Sequence, residues 1–304
     1  MNGSVFVTGG AGLLGVTWAA AMRDRCKVTL GLHDRAIALR GVETRRSDLE
    51  SVDALARTLD AVKAELVVHT AGMTNVDACE AEPECARHIN VELAANVAAA
   101  CRRLGIGLVH ISTDHLFSQT GDPLREEDAL SPVNVYGRTK AEAELRVLDA
   151  YADALVVRTN FYGWGPSYRQ SFSDTIIKSL RRGDRPTLFT DVHYTPILMD
   201  ALIAGVHGLV EKKARGVFHV TGDDALTKHE FGVRVAECFG LPAGLVQRAT
   251  LADKPSLAKR PRSMMLSNAK ASALLGRRIG GVREHLATLR QQEQSETVKE
   301  IQSL

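Results

Sequence analysis

The sequence predicts an α/β protein built on a doubly wound parallel sheet with helices on both faces, followed by a smaller C-terminal lobe. Two observations support this prediction. Short runs of β-branched and other apolar residues alternate with longer stretches of helical periodicity along the first half of the chain. Repeated strand–helix–strand order produces parallel strands whose crossover helices cover the sheet. With 304 residues, 45% of them hydrophobic, the chain can fill the core of such a sheet.

The predicted strands are short apolar runs, and the predicted helices lie between them. The strands, in chain order, are Ser4–Thr8, Lys27–Leu32, Leu66–His69, Gly107–Ser112 and Ala154–Arg158. The helical stretches extend roughly over Leu13–Arg23, Val52–Lys63, Glu82–Arg103 and Pro132–Leu148. Because right-handed crossovers leave few topologies, this order favours a single sheet with helices on its two faces.

After Arg158 this alternation ends, and a loop rich in aromatic residues, glycine and proline follows. Further on, Thr227 and Glu230 have the spacing of a capping box that opens a helix. We expect residues 1–160 to form the first domain, with about 196–221 returning to it, and 161–304 to form mainly the smaller lobe. The polar tail, Gln291–Leu304, is expected to be a frayed helix or disordered.

Composition argues against several classes of protein. The net charge of +2 gives no reason to expect a nucleic-acid partner. The five cysteines are odd in number and form no CxxC motif, which is typical of reduced thiols in a cytoplasm. No apolar run approaches the roughly 20 residues needed to cross a bilayer, and we see no signal peptide. There is no HExxH motif or Cys/His cluster, so we expect no catalytic metal.

The first candidate site is a glycine loop. Gly10-Ala11-Gly12-Leu13-Leu14-Gly15 follows the first strand and opens a helix, and Gly9 precedes it. In this context GxGxxG predicts a Rossmann-type site, where backbone N–H groups and the helix dipole bind a dinucleotide pyrophosphate. The alternative is a glycine-rich turn without a ligand. The predicted contacts in this loop are Gly9, Gly10, Gly12, Leu13, Leu14 and Gly15.

The next candidates concern the adenosine half of the cofactor. His33, Asp34 and Arg35 follow the second strand, where an acid binds the ribose 2′-OH and an arginine binds a 2′-phosphate. Arg35 favours NADP(H), and Asp34 leaves NAD(H) open. Asp48 and Leu49 follow a further short strand, where Asp48 either accepts from the adenine amino group or caps a helix.

The chemistry is carried by three residues. Tyr136 and Lys140 lie four apart in a predicted helix and therefore on one face. A nearby ammonium lowers the pKa of a tyrosine, which suits proton donation to the alkoxide formed by hydride transfer. Thr113 lies at the carboxyl end of a central strand, where it can orient a substrate carbonyl. The alternatives are a surface Tyr/Lys pair and a hydroxyl that caps the strand end.

Taken together, "VTGGAGLLG", "STDHLF" and "YGRTK" resemble the extended short-chain dehydrogenases/reductases. "VVHTAGMTNVDACEAEP", "REEDALSPVNVYGRTKAEAE", "VVRTNFYGWG", "GVFHVTGDDALTKHEFG" and "KRPRSMMLSNAK" resemble the dTDP-4-dehydrorhamnose reductase branch. The resemblance covers nearly the whole chain. It implies an NAD(P)-binding domain, a substrate-binding lobe, and a nucleotide-linked 4-keto-6-deoxy sugar reduced at C4 with Tyr136 as proton donor. It also implies that Ala71 and Gly72 line the cofactor and that a homodimer is compatible with the family.

The expected sugar contacts are spread along the chain. The resemblance and the strand-end positions place them at Thr74, Asp114, His115, Asn160, Trp164 and Arg260. Core packing is an alternative for Trp164, and a solvated basic loop is an alternative for Arg260. His115-Leu116-Phe117 stands where the branch usually has Tyr-Val-Phe, so a sugar contact can differ.

Other functions within this family stay open at this point. Sugar-nucleotide dehydratases carry a second acid after Asp114, and His115 occupies that position here, which argues against dehydration. The remaining alternatives are another extended-family nucleotide-sugar reductase or epimerase, and a non-catalytic NADP-binding regulatory subunit like that of methionine adenosyltransferase.

Overall fold

The computed structural model describes residues 3–118, 121–253 and 258–304. The strands are β1 (Ser4–Thr8), β2 (Lys27–Leu32), β3 (Glu43–Arg46), β4 (Leu66–His69), β5 (Gly107–Ile111), β6 (Leu155–Arg158), β7 (Thr187–Phe189), β8 (His193–Tyr194), β9 (Gly216–His219), β10 (Leu226–Thr227), β11 (Gln247–Ala249) and β12 (Ser263–Met264). The helices are α1 (Leu13–Met22), α2 (Val52–Ala61), α3 (Val76–Ala81), α4 (Pro83–Arg87), α5 (Leu93–Leu104), α6 (Val135–Ala150), α7 (Phe172–Arg181), α8 (Met199–Glu211), α9 (Lys228–Phe239), α10 (Ala269–Leu275), α11 (Val282–Gln292) and α12 (Glu296–Ser303).

The main sheet has seven parallel strands in the order β3-β2-β1-β4-β5-β6-β9. The strand order reverses at β1, because β2 lies on one side of it and β4 on the other. Such a reversal leaves a crevice at the carboxyl ends of the strands, where ligands bind in open α/β sheets. The predicted fold class is confirmed, and β9 shows that the chain returns to the sheet after β8.

Helices cover both faces of this sheet. On one face α1 and α8 pack through residues such as Trp18 and Val206, both fully buried. On the other face α2, α5 and α6 pack through Leu55, Val97 and Val147, which are also fully buried. Because successive strand residues point to opposite faces, the apolar β-strands contribute to both cores.

A second core lies in the C-terminal part of the chain. Helices α7, α9 and α11 enclose it together with two small sheets, β11-β7 and β10-β8-β12. Phe231 is completely buried at its centre, with the rings of Tyr162, Phe172 and Tyr194 at centroid distances of 4.8, 5.7 and 5.9 Å. These aromatic contacts explain why the aromatic loop after Arg158 leads away from the sheet.

The two edges of the main sheet carry charged groups. Edge strand β3 exposes Arg45 and Arg46. At the opposite edge, β9, the backbone N–H of His219 donates to the Glu126 carboxylate at 2.7 Å, and Lys270 Nζ donates to the Val217 carbonyl at 2.6 Å. Both edges are therefore occupied by ionic side chains.

Two sequence predictions are wrong in detail. The single helix predicted over Glu82–Arg103 is divided into α4, a π-helix at His88–Glu92 and α5. The tail is neither frayed nor disordered, because α12 buries Val298 and Ile301 and contacts α1. Glu300 accepts from Arg23 Nη1 at 2.5 Å and from the Arg40 backbone N–H at 2.6 Å. In the part of the chain that the structure describes, no helix combines the length and the apolar composition needed to cross a membrane.

Candidate active site

A cavity of about 1010 Å³ lies at the carboxyl ends of the parallel strands. It brings together most of the residues predicted from the sequence. Three predicted residues, Gly15, Trp164 and Arg260, do not line it. Those that do are Gly9, Gly10, Gly12, Leu13, Leu14, His33, Asp34, Arg35, Asp48, Leu49, Ala71, Gly72, Thr74, Thr113, Asp114, His115, Tyr136, Lys140 and Asn160.

The glycine loop fits a dinucleotide pyrophosphate. Gly9 has a φ of +65°, and a Cβ there would lie 2.7 Å from the Ala71 backbone nitrogen. A Cβ on Gly15 would lie 2.6 Å from the Gly9 carbonyl, so Gly15 is needed for close packing of α1 on the loop and not as a cavity contact. Gly12 is the N-cap of α1 and offers no side-chain acceptor, which leaves first-turn N–H groups for an anion.

The loops after β2 and β3 form the end of the cavity where the sequence places the adenosine of a cofactor. His33 Nδ1 lies 2.9 Å from Asp34 Oδ2, so the Asp34 carboxylate has a partner within its own loop. Arg35 is exposed and lies over the Tyr168 ring, 4.0 Å from its centroid. Asp48 accepts from the Glu50 backbone N–H at 2.9 Å. The helix-cap alternative for Asp48 is wrong, because Ser51 is the N-cap of α2.

Helix α6 places Tyr136 and Lys140 in the cavity wall. Its N-terminus is fixed by Asn134, whose side chain accepts from the Gly137 N–H at 2.8 Å. Farther along, Glu144 forms a buried ion pair of 2.8 Å with Arg158 at the end of β6. Helix α6 is therefore tied to the sheet beyond the turn that carries Tyr136 and Lys140.

Tyr136 is 8% exposed and lies near Thr113 at the end of β5, whose hydroxyl group donates to Asp114 Oδ1 at 3.3 Å. Burial raises the pKa of Tyr136 above its ordinary value, and the neighbouring Thr113 side chain opposes this rise only in part. His115 packs edge-on against the Tyr136 ring, with centroids 5.4 Å apart. The predicted lowering of the Tyr136 pKa by Lys140 is not found, because burial is the largest influence on this hydroxyl group.

Lys140 is 5% exposed and points toward β5. Its Nζ donates to the Ile111 carbonyl at 2.8 Å and lies 3.4 Å from His110 Nε2. Burial lowers the pKa of Lys140 to about 8, and the Glu144 carboxylate opposes this shift. Burial also lowers the pKa of His110 well below its ordinary range, so this histidine is a neutral neighbour of the ammonium group.

Asn90 connects α6 to the loop after β4. It lies in the π-helix, and its Oδ1 accepts from the Met73 N–H at 2.8 Å. Its Nδ2 donates to the Met73 carbonyl at 3.1 Å and to Thr139 Oγ1 at 3.0 Å. Thr139 directly precedes Lys140, so the hydrogen bonds of Asn90 join two walls of the cavity.

The remaining wall is formed by the residues expected to contact a sugar. Asp114 is 3% exposed, and its Oδ2 accepts from Asn160 Nδ2 at 2.9 Å. Thr74 Oγ1 accepts from Arg169 Nη2 at 3.0 Å. His115 has a pKa lowered by burial, and its Nδ1 has no hydrogen-bond partner within the described residues. Polar side chains from several loops therefore line this wall of the cavity.

Two expected sugar contacts lie elsewhere. Trp164 is 4% exposed, donates its indole N–H to the Leu289 carbonyl at 2.9 Å and packs on Phe239 in the second core. Its predicted sugar contact is wrong, because the indole already has both an apolar environment and a hydrogen-bond acceptor. Arg260 pairs with Asp77 at 3.1 Å outside the cavity lining.

Sequence reasoning missed several residues of the cavity. Ser112 is buried there without a hydrogen-bond partner for its hydroxyl group among the described residues. Tyr168 and Arg169 line the cavity from the aromatic loop. In the local sequence, only the Tyr-Arg dipeptide itself could have indicated a contact there. Lys228 lies behind this wall, with Nζ 3.3 Å from the Tyr194 ring centroid and a pKa lowered by burial to about 8. The described residues contain no group of three His, Cys, Asp or Glu that could hold a metal ion.

A family model described as the RmlD substrate binding domain matches residues 3–295. The probable low-salt glycan biosynthesis reductase Agl14 of Haloferax volcanii is 31% identical, over 93% of this chain and 96% of the relative. Methionine adenosyltransferase 2 subunit beta of Mus musculus is 28% identical, over 93% and 86%. The dTDP-4-dehydrorhamnose reductase of Salmonella typhimurium is 28% identical, over 73% and 78%.

A solved structure shows the same fold. The dTDP-4-dehydrorhamnose reductase of Bacillus anthracis in complex with NADP superposes with a TM-score of 0.83 at 22% identity. That match covers 96% of this chain and 99% of the Bacillus chain. The chain belongs to the RmlD substrate-binding-domain family, within the extended short-chain dehydrogenases/reductases that its motifs resemble.

Proposed function

We propose that the protein is an NADPH-dependent reductase of a nucleotide-linked 4-keto-6-deoxy sugar, with NADH as a second possible reductant. The observation that carries this proposal is the position of Thr113, Tyr136 and Lys140 in the same cavity as the glycine loop. A reductase needs a dinucleotide site and a proton donor that face one reacting carbon. The relatives from Haloferax and Salmonella are both named as reductases, which supports the same reaction class.

The catalytic residues have separate tasks. Bound NADPH would supply the hydride to C4. Tyr136 is protonated at neutral pH, as any tyrosine of ordinary pKa is, so its hydroxyl group is available to protonate the C4 oxygen. The Thr113 hydroxyl group, which lines the same cavity at the end of β5, orients the carbonyl oxygen. Lys140 places a positive charge in the wall of the same cavity, which favours the negative charge that develops on oxygen.

The cofactor assignment rests on the two ends of its site. The glycine loop accommodates a pyrophosphate, and Arg35 at the end of β2 suits a 2′-phosphate because guanidinium groups bind phosphate through two parallel hydrogen bonds. Asp34, the acid that would favour a free ribose, is paired with His33. The NADP complex of the Bacillus protein agrees with this choice.

The similarity to methionine adenosyltransferase 2 subunit beta supports a second candidate, a regulatory subunit that binds NADP without turnover. The two candidates share the dinucleotide site and differ in the use of Tyr136. The test is NADPH oxidation by the purified protein with dTDP-4-dehydrorhamnose, in the wild type and in Tyr136→Phe.

We expect Tyr136→Phe to lose about 100-fold or more in kcat, because general acid catalysis contributes on this scale. Its Kd for NADP⁺ should stay within about twofold of the wild-type value, since the ring remains. Tyr151→Phe, at the C-cap of the same helix, is the matched control and should keep full activity. Full turnover by Tyr136→Phe would contradict the assigned role. Tight NADP⁺ binding without wild-type turnover on any keto sugar would favour the regulatory subunit.

A further inference from the structure

A short loop from the C-terminal part of the chain crosses to the cofactor-binding side of the cavity. We call residues 165–170 the crossing loop. The Tyr168 hydroxyl group donates to the Ala11 carbonyl of the glycine loop at 2.9 Å. Arg169 Nη2 donates to Thr74 Oγ1 in the loop after β4 at 3.0 Å. With Arg35 over the Tyr168 ring, the crossing loop contacts the loops that follow β1, β2 and β4.

The base of the crossing loop is held firmly. The buried Asp174 carboxylate accepts from the Gly165 N–H at 2.8 Å and from the Ser171 N–H at 3.1 Å. A Cβ on Gly165 would lie 2.7 Å from a methyl group of Leu13, so the loop passes directly against the first residue of α1. Tyr168 therefore projects from a fixed base and is anchored at its tip by Ala11.

Arg35 depends on this tyrosine for its position. It is exposed, and within the described residues its guanidinium makes neither an ion pair nor a hydrogen bond, whereas neighbouring Asp34 pairs with His33. Among the described residues its one partner is the Tyr168 ring, whose centroid lies 4.0 Å from Arg35 Cζ. A free arginine side chain loses much rotamer entropy when it binds a ligand, and a guanidinium held over a ring has lost part of that entropy already. Contact with a ring face leaves the N–H groups at the guanidinium edge free for a phosphate.

We propose that Tyr168 is a positioning residue that holds Arg35 for the 2′-phosphate of NADP(H), so that a loop from the substrate-binding side determines the choice of coenzyme. This inference rests on the proposed use of NADP(H). It assigns to Tyr168 no contact with the reacting atoms. Its effect acts through Arg35 and is confined to the part of the coenzyme that distinguishes NADP(H) from NAD(H).

The test is calorimetric titration of the full-length protein with NADP⁺ and with NAD⁺, without sugar. In the wild type we expect NADP⁺ to bind more tightly than NAD⁺. In Tyr168→Leu, which removes the ring, NADP⁺ affinity should fall about fivefold, the upper end of the scale of an exposed cation–π contact. NAD⁺ affinity should change by less than about twofold, since NAD⁺ has no 2′-phosphate. Tyr168→Phe keeps the ring and loses the bond to Ala11, so its effect should be smaller than that of Tyr168→Leu.

Arg35→Ser provides the matched control. It should abolish most of the preference for NADP⁺, and Tyr168→Leu added to it should cause no further loss, because the tyrosine acts through the arginine. Equal weakening of both coenzymes in Tyr168→Leu would mean a structural role only and would overturn the inference. An unchanged NADP⁺/NAD⁺ ratio would overturn it as well. A wild type that prefers NAD⁺ would overturn it and leave a reductase that uses NADH. Failure to reduce any keto sugar would contradict the proposed function without altering these binding ratios.

Discussion

At the scale of single residues, Lys140 brings an ammonium group into the interior beside β5. Burial lowers its pKa from an ordinary value of 10.5 to about 8, so the unfolded chain binds more protons between these two values. The charged lysine therefore opposes folding fully below pH 8, and this penalty disappears as the pH rises toward 10.5. Lys140 therefore costs stability at neutral pH, where it carries a positive charge in the cavity wall.

We predict that Lys140→Met raises the Tm at pH 7 and removes most of the turnover. Methionine fills a similar volume without a buried charge, which is often neutral or stabilising. The gain in Tm over the wild type should be smaller at pH 9.5, where much of the wild-type Lys140 is neutral. Thermal denaturation of both proteins at the two pH values measures this. A variant less stable than the wild type at pH 7 would contradict it, as would a gain that does not depend on pH.

At the scale of secondary-structure elements, α12 shows how a polar segment can be part of the core. Its hydrophobic residues are few, but Val298 and Ile301 both face inward, and Ile301 joins the core on the α1 side of the sheet. Glu300 adds two hydrogen bonds to residues near the N-terminus of the chain. The C-terminal helix therefore stabilises the first part of the sheet.

We predict that Ile301→Ala lowers the free energy of unfolding by about 2–5 kcal/mol, the usual cost of truncating a buried isoleucine. Lys299→Ala, on the exposed side of the same helix, is the control and should change it by less than about 0.5 kcal/mol. Urea denaturation of the two variants measures the difference. Equal effects of the two substitutions would show that α12 does not dock on the core.

The predictability of these elements follows from how local their causes are. Strands β1, β2 and β4 and the glycine loop could be predicted, because an apolar run or a GxGxxG motif specifies each within a few residues. The π-helix could not, because it depends on bonds from Asn90 to Met73 and Thr139 in other elements. Two contacts are equally hard to predict, because each joins residues more than a hundred positions apart. They are the packing of Trp164 and the contact between Arg35 and Tyr168.

At the scale of the whole molecule, the cavity is bounded by the sheet and by the crossing loop, so a bound dinucleotide contacts both. We predict that saturating NADP⁺ raises the Tm in a single transition. At 100 times the Kd, a ligand stabilises the folded state by about 2.7 kcal/mol, which corresponds to a shift of several degrees in a chain of this size. Differential scanning calorimetry with and without NADP⁺ measures it. Two transitions, of which only one moves, would contradict this coupling.

The charged groups at the two edges of the sheet have a consequence for self-association. An unprotected edge strand offers unpaired N–H and C=O groups to a strand of another chain, which leads to aggregation or to dimers with a continuous sheet. Here Arg45 and Arg46 lie along β3, and on β9 the Glu126 carboxylate and the Lys270 ammonium already occupy backbone groups. A second copy cannot pair with β9 without displacing the Glu126 and Lys270 side chains, and at β3 it meets two exposed arginines. If the chain forms a homodimer, its subunits should meet through helix or loop surfaces, and each sheet should end within its own subunit.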